Sequence, residues 1–326
     1  MAFLSEYGLF LAKTATLVAA VLAVVGGVVM LARHGEGRSE NRGRLNIRHL
    51  NDSYESMAFA LKSATLSKKA LKQYRKTQKA REKQREKIER RRVFVLNFHG
   101  DLRASAVASL REEVTAVLTV AQPEDEVMLR LESAGGLVHG YGLAAAQLLR
   151  IRDRQIGLTV AVDKVAASGG YMMACVADRI LAAPFAVVGS IGVIAQLPNF
   201  NRLLKKNEVD FEQFMAGEFK RTVTVFGENT EQGRRKFQEE IEDTHQLFKE
   251  FVKTHRPSVD LDQVATGEHW FGARALESRL VDELRTSDDY LLAASNDADL
   301  YELSYTGKKS WLARLMAHTG ESREWL

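Results

Sequence analysis

The chain has 326 residues, 45% hydrophobic and 27% charged, a globular balance that excludes a wholly disordered or collagen-like protein. Its formal charge of +4 joins two unlike parts: residues 67–92 carry 13 Lys and Arg against three Glu, a net +10, and the remainder is −6. The single cysteine, Cys175, excludes an internal disulfide and a cysteine-based zinc site within one chain.

The first predicted element is a run of 19 uncharged residues, 14–32, rich in Val, Ala and Leu. As a helix it nearly crosses a hydrocarbon core about 30 Å thick, so residues 1–33 are expected to form a single-pass membrane anchor. A cleaved signal peptide fits less well, because the run exceeds an apolar region of roughly 7–15 residues. In addition, no Lys or Arg precedes Lys13, and Met30-Leu31-Ala32 puts a bulky residue where a processing site needs a small one. Arg33, Arg38, Arg42, Arg44 and Arg48 all follow the run, which by the positive-inside rule places the bulk of the chain in the cytoplasm.

Residues 34–92 read as a polar and then basic linker. Lys, Glu, Gln and Arg are good helix formers, and Glu86 stands four residues before Arg90, so a solvated helix is expected. A plain spacer and a contact with anionic lipid headgroups both fit this charge. Nucleic acid fits poorly, because Tyr74 is the only aromatic residue in 67–92 on which a base could stack.

From Val93 the pattern changes. Residues 93–98 (VFVLNF), 126–132 (EVMLRLE) and 157–163 (GLTVAVD) read as strands, and 110–120, 141–152 and 171–177 as helices. Strands alternating with helices imply βα units and a mainly parallel sheet. A second uncharged run, 180–200, contains Pro184, Gly189, Gly192 and Pro198, which suit the strands and turns of a core better than a membrane helix. Long and short helices are expected at 230–255 and 271–280. The catalytic-looking domain is 93–284, and 285–326 is left as a C-terminal tail.

Two glycine pairs, Gly135-Gly136 and Gly169-Gly170, each follow a strand and precede a helix. Glycines there allow close backbone approach and leave N–H groups facing outward, as an oxyanion hole requires, or they simply make tight turns. Ser168 precedes the second pair, where it is either a helix N-cap or a nucleophile with small neighbours. It does not sit in a G-x-S-x-G elbow, since Ala166 stands where the first Gly would be. The bases open to it are His99 and His139, each beside a Gly, or a lysine kept neutral by burial. Lys220, in Gly217-Glu218-Phe219-Lys220, is the candidate of the second kind.

Glu132-Ser133-Ala134-Gly135-Gly136, Ala167-Ser168-Gly169-Gly170-Tyr171, Gly189-Ser190-Ile191-Gly192-Val193 and Gly217-Glu218-Phe219-Lys220 follow one another over about half the chain. In order and spacing they resemble the signal peptide peptidase A family, in its short, bacterial inner-membrane form. The resemblance extends to Gly272-Ala273 and Leu280-Val281-Asp282. It implies an α/β, ClpP/crotonase-like fold with an N-terminal transmembrane helix and a basic helical linker. It also implies a Ser/Lys peptidase that needs no cofactor or metal and cleaves apolar or remnant signal peptides. By that resemblance Ser168 is the nucleophile, Lys220 the general base and then acid, and Ser190 orients the Lys220 amine. The N–H groups of Gly136 and Gly169 hold the oxyanion. Small relatives complete each site with a lysine from the neighbouring protomer, which implies a homo-oligomeric ring, and the family acts on exported peptides, which implies the periplasmic face. The chain departs from the family in Glu132 and Ala134, where Asn and Pro are common, and in Arg221, where many relatives carry Asp. The competing readings are an acyl-CoA hydratase or hydrolase on the same fold and an inactive membrane scaffold.

Overall fold

The computed structural model describes residues 8, 11, 13–20, 43–85 and 90–307. The chain divides into two units, Met1–Arg44 with Gly307–Leu326, and Leu45–Thr306. In the first, residues 13–20 are helical, while 21–32 of the expected anchor lie outside the described residues. Among the described residues no helix is long and apolar enough to cross a membrane.

The second unit is a mixed α/β fold around a ten-stranded sheet. Its elements in chain order are β1 (Arg44–His49), α1 (Leu50–Thr65), α2 (Lys68–Arg85), β2 (Arg91–Gly100), α3 (Val107–Leu118), β3 (Glu126–Ser133), α4 (Val138–Arg152), β4 (Gly157–Val162), β5 (Val165–Ala167), α5 (Gly169–Ala174), β6 (Arg179–Ala182), β7 (Val187–Gly189), α6 (Asn201–Lys206), α7 (Glu231–His255), α8 (Leu261–Val264), β8 (His269–Phe271), α9 (Gly272–Glu277), β9 (Glu283–Leu284), α10 (Ser287–Ala294) and β10 (Ala298–Thr306). The main path runs β1-β10-β2-β3-β4-β6-β9, and a short branch of β5, β7 and β8 leaves it at β3. The pairs reaching β2, β3, β4, β6 and β9 are parallel, and β7 meets β8 antiparallel.

The central strands read as unbroken apolar runs because both faces of the sheet are covered. Phe94, Leu96 and Phe98 of β2 and Val127, Leu129 and Leu131 of β3 pack with α3 and α4 in the larger core. Val93, Val95, Met128, Ala161 and Leu300 face the other way, against Leu50, Tyr290 and Leu291. The second uncharged run is split: Ile180, Leu181, Ala182, Val188 and Ile191 are buried, whereas Ile194 is 79% exposed. Its first half is therefore core strand and turn, as its prolines and glycines suggested.

Two expected boundaries are corrected. Residues 34–92 are more than a linker, since β1 is an edge strand of the sheet and Leu50 of α1 lies in the core. Nor does the domain end at Leu284, because β10 inserts between β1 and β2, with Leu300 opposite Val93. Asn51 ties the two additions together. Its amide donates to the carbonyls of Ser295 and Ala298, and its oxygen accepts from the Leu300 N–H. Neither strand has a continuous apolar run, since β1 is largely solvent-facing and β10 buries only Ala298, Leu300 and Leu303.

The far end of the domain is held by Asp282, whose carboxylate accepts from Arg256 Nη1 and Nη2 at 2.8 and 2.7 Å and from the Ile180 N–H at 2.7 Å. The Arg256 side chain is 8% exposed, so Asp282→Ala strands a buried cation. The expected cost is about 3 kcal/mol of unfolding free energy, read as a lower urea midpoint with an unchanged slope.

Candidate active site

Three turns meet where the short branch leaves the main sheet. Ser133 at the end of β3 is opposite Ala166, and Ala167 at the end of β5 is opposite Gly189 of β7. Neighbouring strands lie about 4.8 Å apart, so the turns after Ser133, Ala167 and Gly189 stand side by side.

Ser168 occupies the sharpest of them. Its backbone has φ 53° and ψ −118°, a region that L-residues enter only under strain of order 1–3 kcal/mol. The surrounding backbone imposes it: the Ser168 N–H donates to the Gly189 carbonyl at 2.7 Å, and its own carbonyl accepts from the Met172 N–H at 2.9 Å. The half-buried side chain makes no cap bond to α5, so the N-cap reading fails. The turn is a strained strand-to-helix elbow of the kind that presents a nucleophile, formed without a glycine at 166.

The elbow is possible because its neighbours lack side chains. A Cβ at Gly135, whose φ is +91°, would lie 2.7 Å from the Ala167 carbonyl oxygen and from Ser168 Cβ, and one at Gly169 would collide with the Tyr141 ring. The N–H groups of Gly136 and Gly169 have no hydrogen-bond partner among the described residues.

A relay holds the first glycine turn. Tyr141 Oη donates to the Asp101 carbonyl at 2.7 Å, which leaves Ser133 Oγ to donate to Tyr141 Oη at 2.6 Å while accepting from the Gly135 N–H at 3.0 Å. Burial pushes the Tyr141 phenol above its ordinary value, so it remains a donor. These bonds fix the turn at Ala134-Gly135. The negative charge beside it is matched, since Glu132 pairs with Lys164 Nζ at 3.1 Å. Sequence reasoning did not single out Tyr141, because no spacing rule links a helix residue to a hydroxyl eight positions earlier across a turn.

Ser190 also has positive φ, 51°. Its N–H donates to the Glu268 carbonyl at 2.7 Å and its Oγ to the Gly267 carbonyl at 3.4 Å. The structure thus gathers Ser168, Ser190, Gly136 and Gly169 on adjoining turns. Lys220 is not among them: it is exposed on an irregular segment, and no hydrogen bond to Ser168 or Ser190 is present among the described residues. The expected burial of this lysine is therefore not met within one chain.

The segment carrying Lys220 is part of an arm folded on itself. Asn199 donates to the carbonyls of Thr224 and Gly227, Asn201 to that of Phe226, and the Phe200 N–H to that of Val225. The arm leaves Ile194 79% and Phe214 90% exposed. Among the other candidate bases, His99 and His139 are exposed and neither bonds to Ser168. Cys175 is no rival nucleophile, since burial pushes its thiol far up and keeps it protonated.

The model of the peptidase family S49 N-terminal region matches residues 2–148, and that of peptidase family S49 matches 150–301. The chain is 49% identical to the probable protease SohB of Haemophilus influenzae, over 98% of this chain and 94% of that one. It is 29% identical to a protein of Enterococcus faecium described as a candidate signal peptide peptidase SppA, over 59% of this chain and 58% of that one. Among solved structures, the membrane-bound stomatin-specific protease 1510-N aligns over 72% of this chain and 100% of its own, with a TM-score of 0.42 and 12% identity.

Proposed function

The chain belongs to peptidase family S49, and we propose that it is a membrane-anchored serine endopeptidase working through Ser168 and Lys220. Ser168 Oγ attacks the scissile carbonyl as its proton passes to Lys220 Nζ, and the N–H groups of Gly136 and Gly169 take up the oxyanion. Lys220 then protonates the leaving amine, and water releases the acyl group from Ser168 by the reverse path. Ser190 Oγ steers the lysine amine. Residues 14–32 supply the anchor, and the β5–β7–β8 branch gives the domain its ClpP/crotonase-like character. Apolar or remnant signal peptides are the substrates suggested by the family.

The observation that carries this reading is the strained elbow at Ser168, which has no structural duty as a cap. Lys220 is assigned to the site of a neighbouring copy. Its exposure in the single chain and the uncovered apolar residues of the arm both support a ring in which the arm packs on the next protomer. A fluorophosphonate probe tests the nucleophile. Labelling that peptide mass analysis maps to Ser168 is expected, and labelling elsewhere, or none from a chain that hydrolyses peptides, would overturn it. Hydrolysis of acyl-CoA in preference to peptides would favour the crotonase-type alternative.

Tyr141→Phe tests the relay. Without the phenol, Ser133 loses its acceptor and the Gly135-Gly136 turn loosens, so kcat should fall roughly tenfold to a hundredfold with KM little changed. A normal kcat would show that the turn is rigid without it.

A further inference from the structure

Over its first three turns, Lys68–Lys79, helix α2 carries its charge on one side. At about 100° per residue, Lys68, Lys69, Lys72, Arg75, Lys76 and Lys79 fall within an arc of about 120°, and all six are exposed. The half-buried residues Ala70, Leu71, Tyr74 and Gln78 lie outside that arc, on the opposite side of the helix. That side meets α1, with Lys62 Nζ 3.9 Å from the Tyr74 ring centre, and Arg75, at the edge of the arc, also turns its guanidinium to 5.0 Å from the ring centre of Phe59. None of the six cations has a carboxylate partner among the described residues. The first turn contains no acidic residue, so Lys68 and Lys69 oppose the positive end of the helix dipole, and Lys68, Lys72 and Lys76 repel one another at i, i+4 spacing. In water alone the stripe works against its own helix.

We propose that this stripe lies on the anionic phospholipid headgroups of the membrane, as a second contact beside the anchor. A row of cations about 16 Å long on a straight helix matches a plane of phosphates, and anionic lipid removes both the repulsion and the dipole conflict. Nucleic acid is disfavoured because the arc holds no aromatic residue, and Tyr74 points the other way, so no base can stack. The proposal is independent of the Ser168 chemistry and rests on the anchor reading only for bringing a bilayer within reach.

The test uses the full chain with bimane on Gln73→Cys, since buried Cys175 does not compete for the label. It is mixed with phosphatidylcholine vesicles, with or without phosphatidylglycerol, both containing the same amount of headgroup-nitroxide lipid. Flotation with pure phosphatidylcholine reports the anchor, and quenching of the bimane reports the stripe. Quenching should be at least about threefold stronger with phosphatidylglycerol, and should be lost in high salt and after Lys68, Lys69, Lys72 and Lys79 are changed to Gln. If the anchor reading fails, flotation only with the phosphatidylglycerol vesicles still supports the stripe. Equal quenching in both vesicle types, flotation with neither, or tighter capture of a single-stranded oligonucleotide than of anionic vesicles at equal phosphate would overturn it.

Discussion

Ser168→Gly should give a protein that is more stable and inactive. The native residue sits at φ 53°, ψ −118°, which glycine adopts without the Cβ penalty, so unfolding free energy should rise by about 1 kcal/mol. Peptide hydrolysis should fall by at least about 10³-fold, because the remaining oxyanion donors cannot replace a nucleophile. Ser168→Ala separates the two effects. It removes the hydroxyl and keeps the strain, so it should be equally inactive with a melting temperature close to that of the parent. The pair therefore distinguishes a conformation held for catalysis from an ordinary turn. An active glycine variant would remove Ser168 from the chemistry, and a glycine variant no more stable than the parent would show that the surrounding bonds, not the residue, bear the strain.

How far the chain could be read in advance follows from where each feature draws its signal. The βα alternation of 93–177 was legible because strands covered on both faces must be apolar throughout, as 93–98 are. The strands β1 and β10 were not, because an edge strand facing solvent and a strand that buries only three of its nine residues resemble linker and tail. The elbow was hidden for a related reason. Its room is made by Gly135, on a different turn, and by Gly169, against the Tyr141 ring, so the residue two before Ser168 is free to be Ala. The Tyr141–Ser133 relay left no pattern at all, since its hydrogen bonds join residues that only the folded turn brings together. The order of the four motifs still pointed to the right family, because the first three mark strand ends that the sheet brings together, whereas Lys220 stands on an irregular segment that no strand of the described sheet positions.

The proposed sharing of Lys220 between copies yields an all-or-none expectation. Ser168→Ala and Lys220→Ala should each abolish hydrolysis when present alone. Co-expressed in equal amounts with different tags, and recovered as mixed assemblies through both tags in turn, they should regain activity if each site pairs Ser168 of one copy with Lys220 of the next. Random placement around a head-to-tail ring makes roughly a quarter of the sites complete, a serine-intact copy facing a lysine-intact neighbour. If the dyad forms within one chain, every copy lacks one member and the mixture stays inactive. The exposed position of Lys220, the uncovered Ile194 and Phe214 on the same arm, and the lack of any bond from Lys220 to Ser168 or Ser190 all favour recovery. A second mixture carrying Phe214→Asp in both chains should lose that recovery, because a carboxylate in an apolar contact between copies opposes assembly before any residue of the dyad is touched.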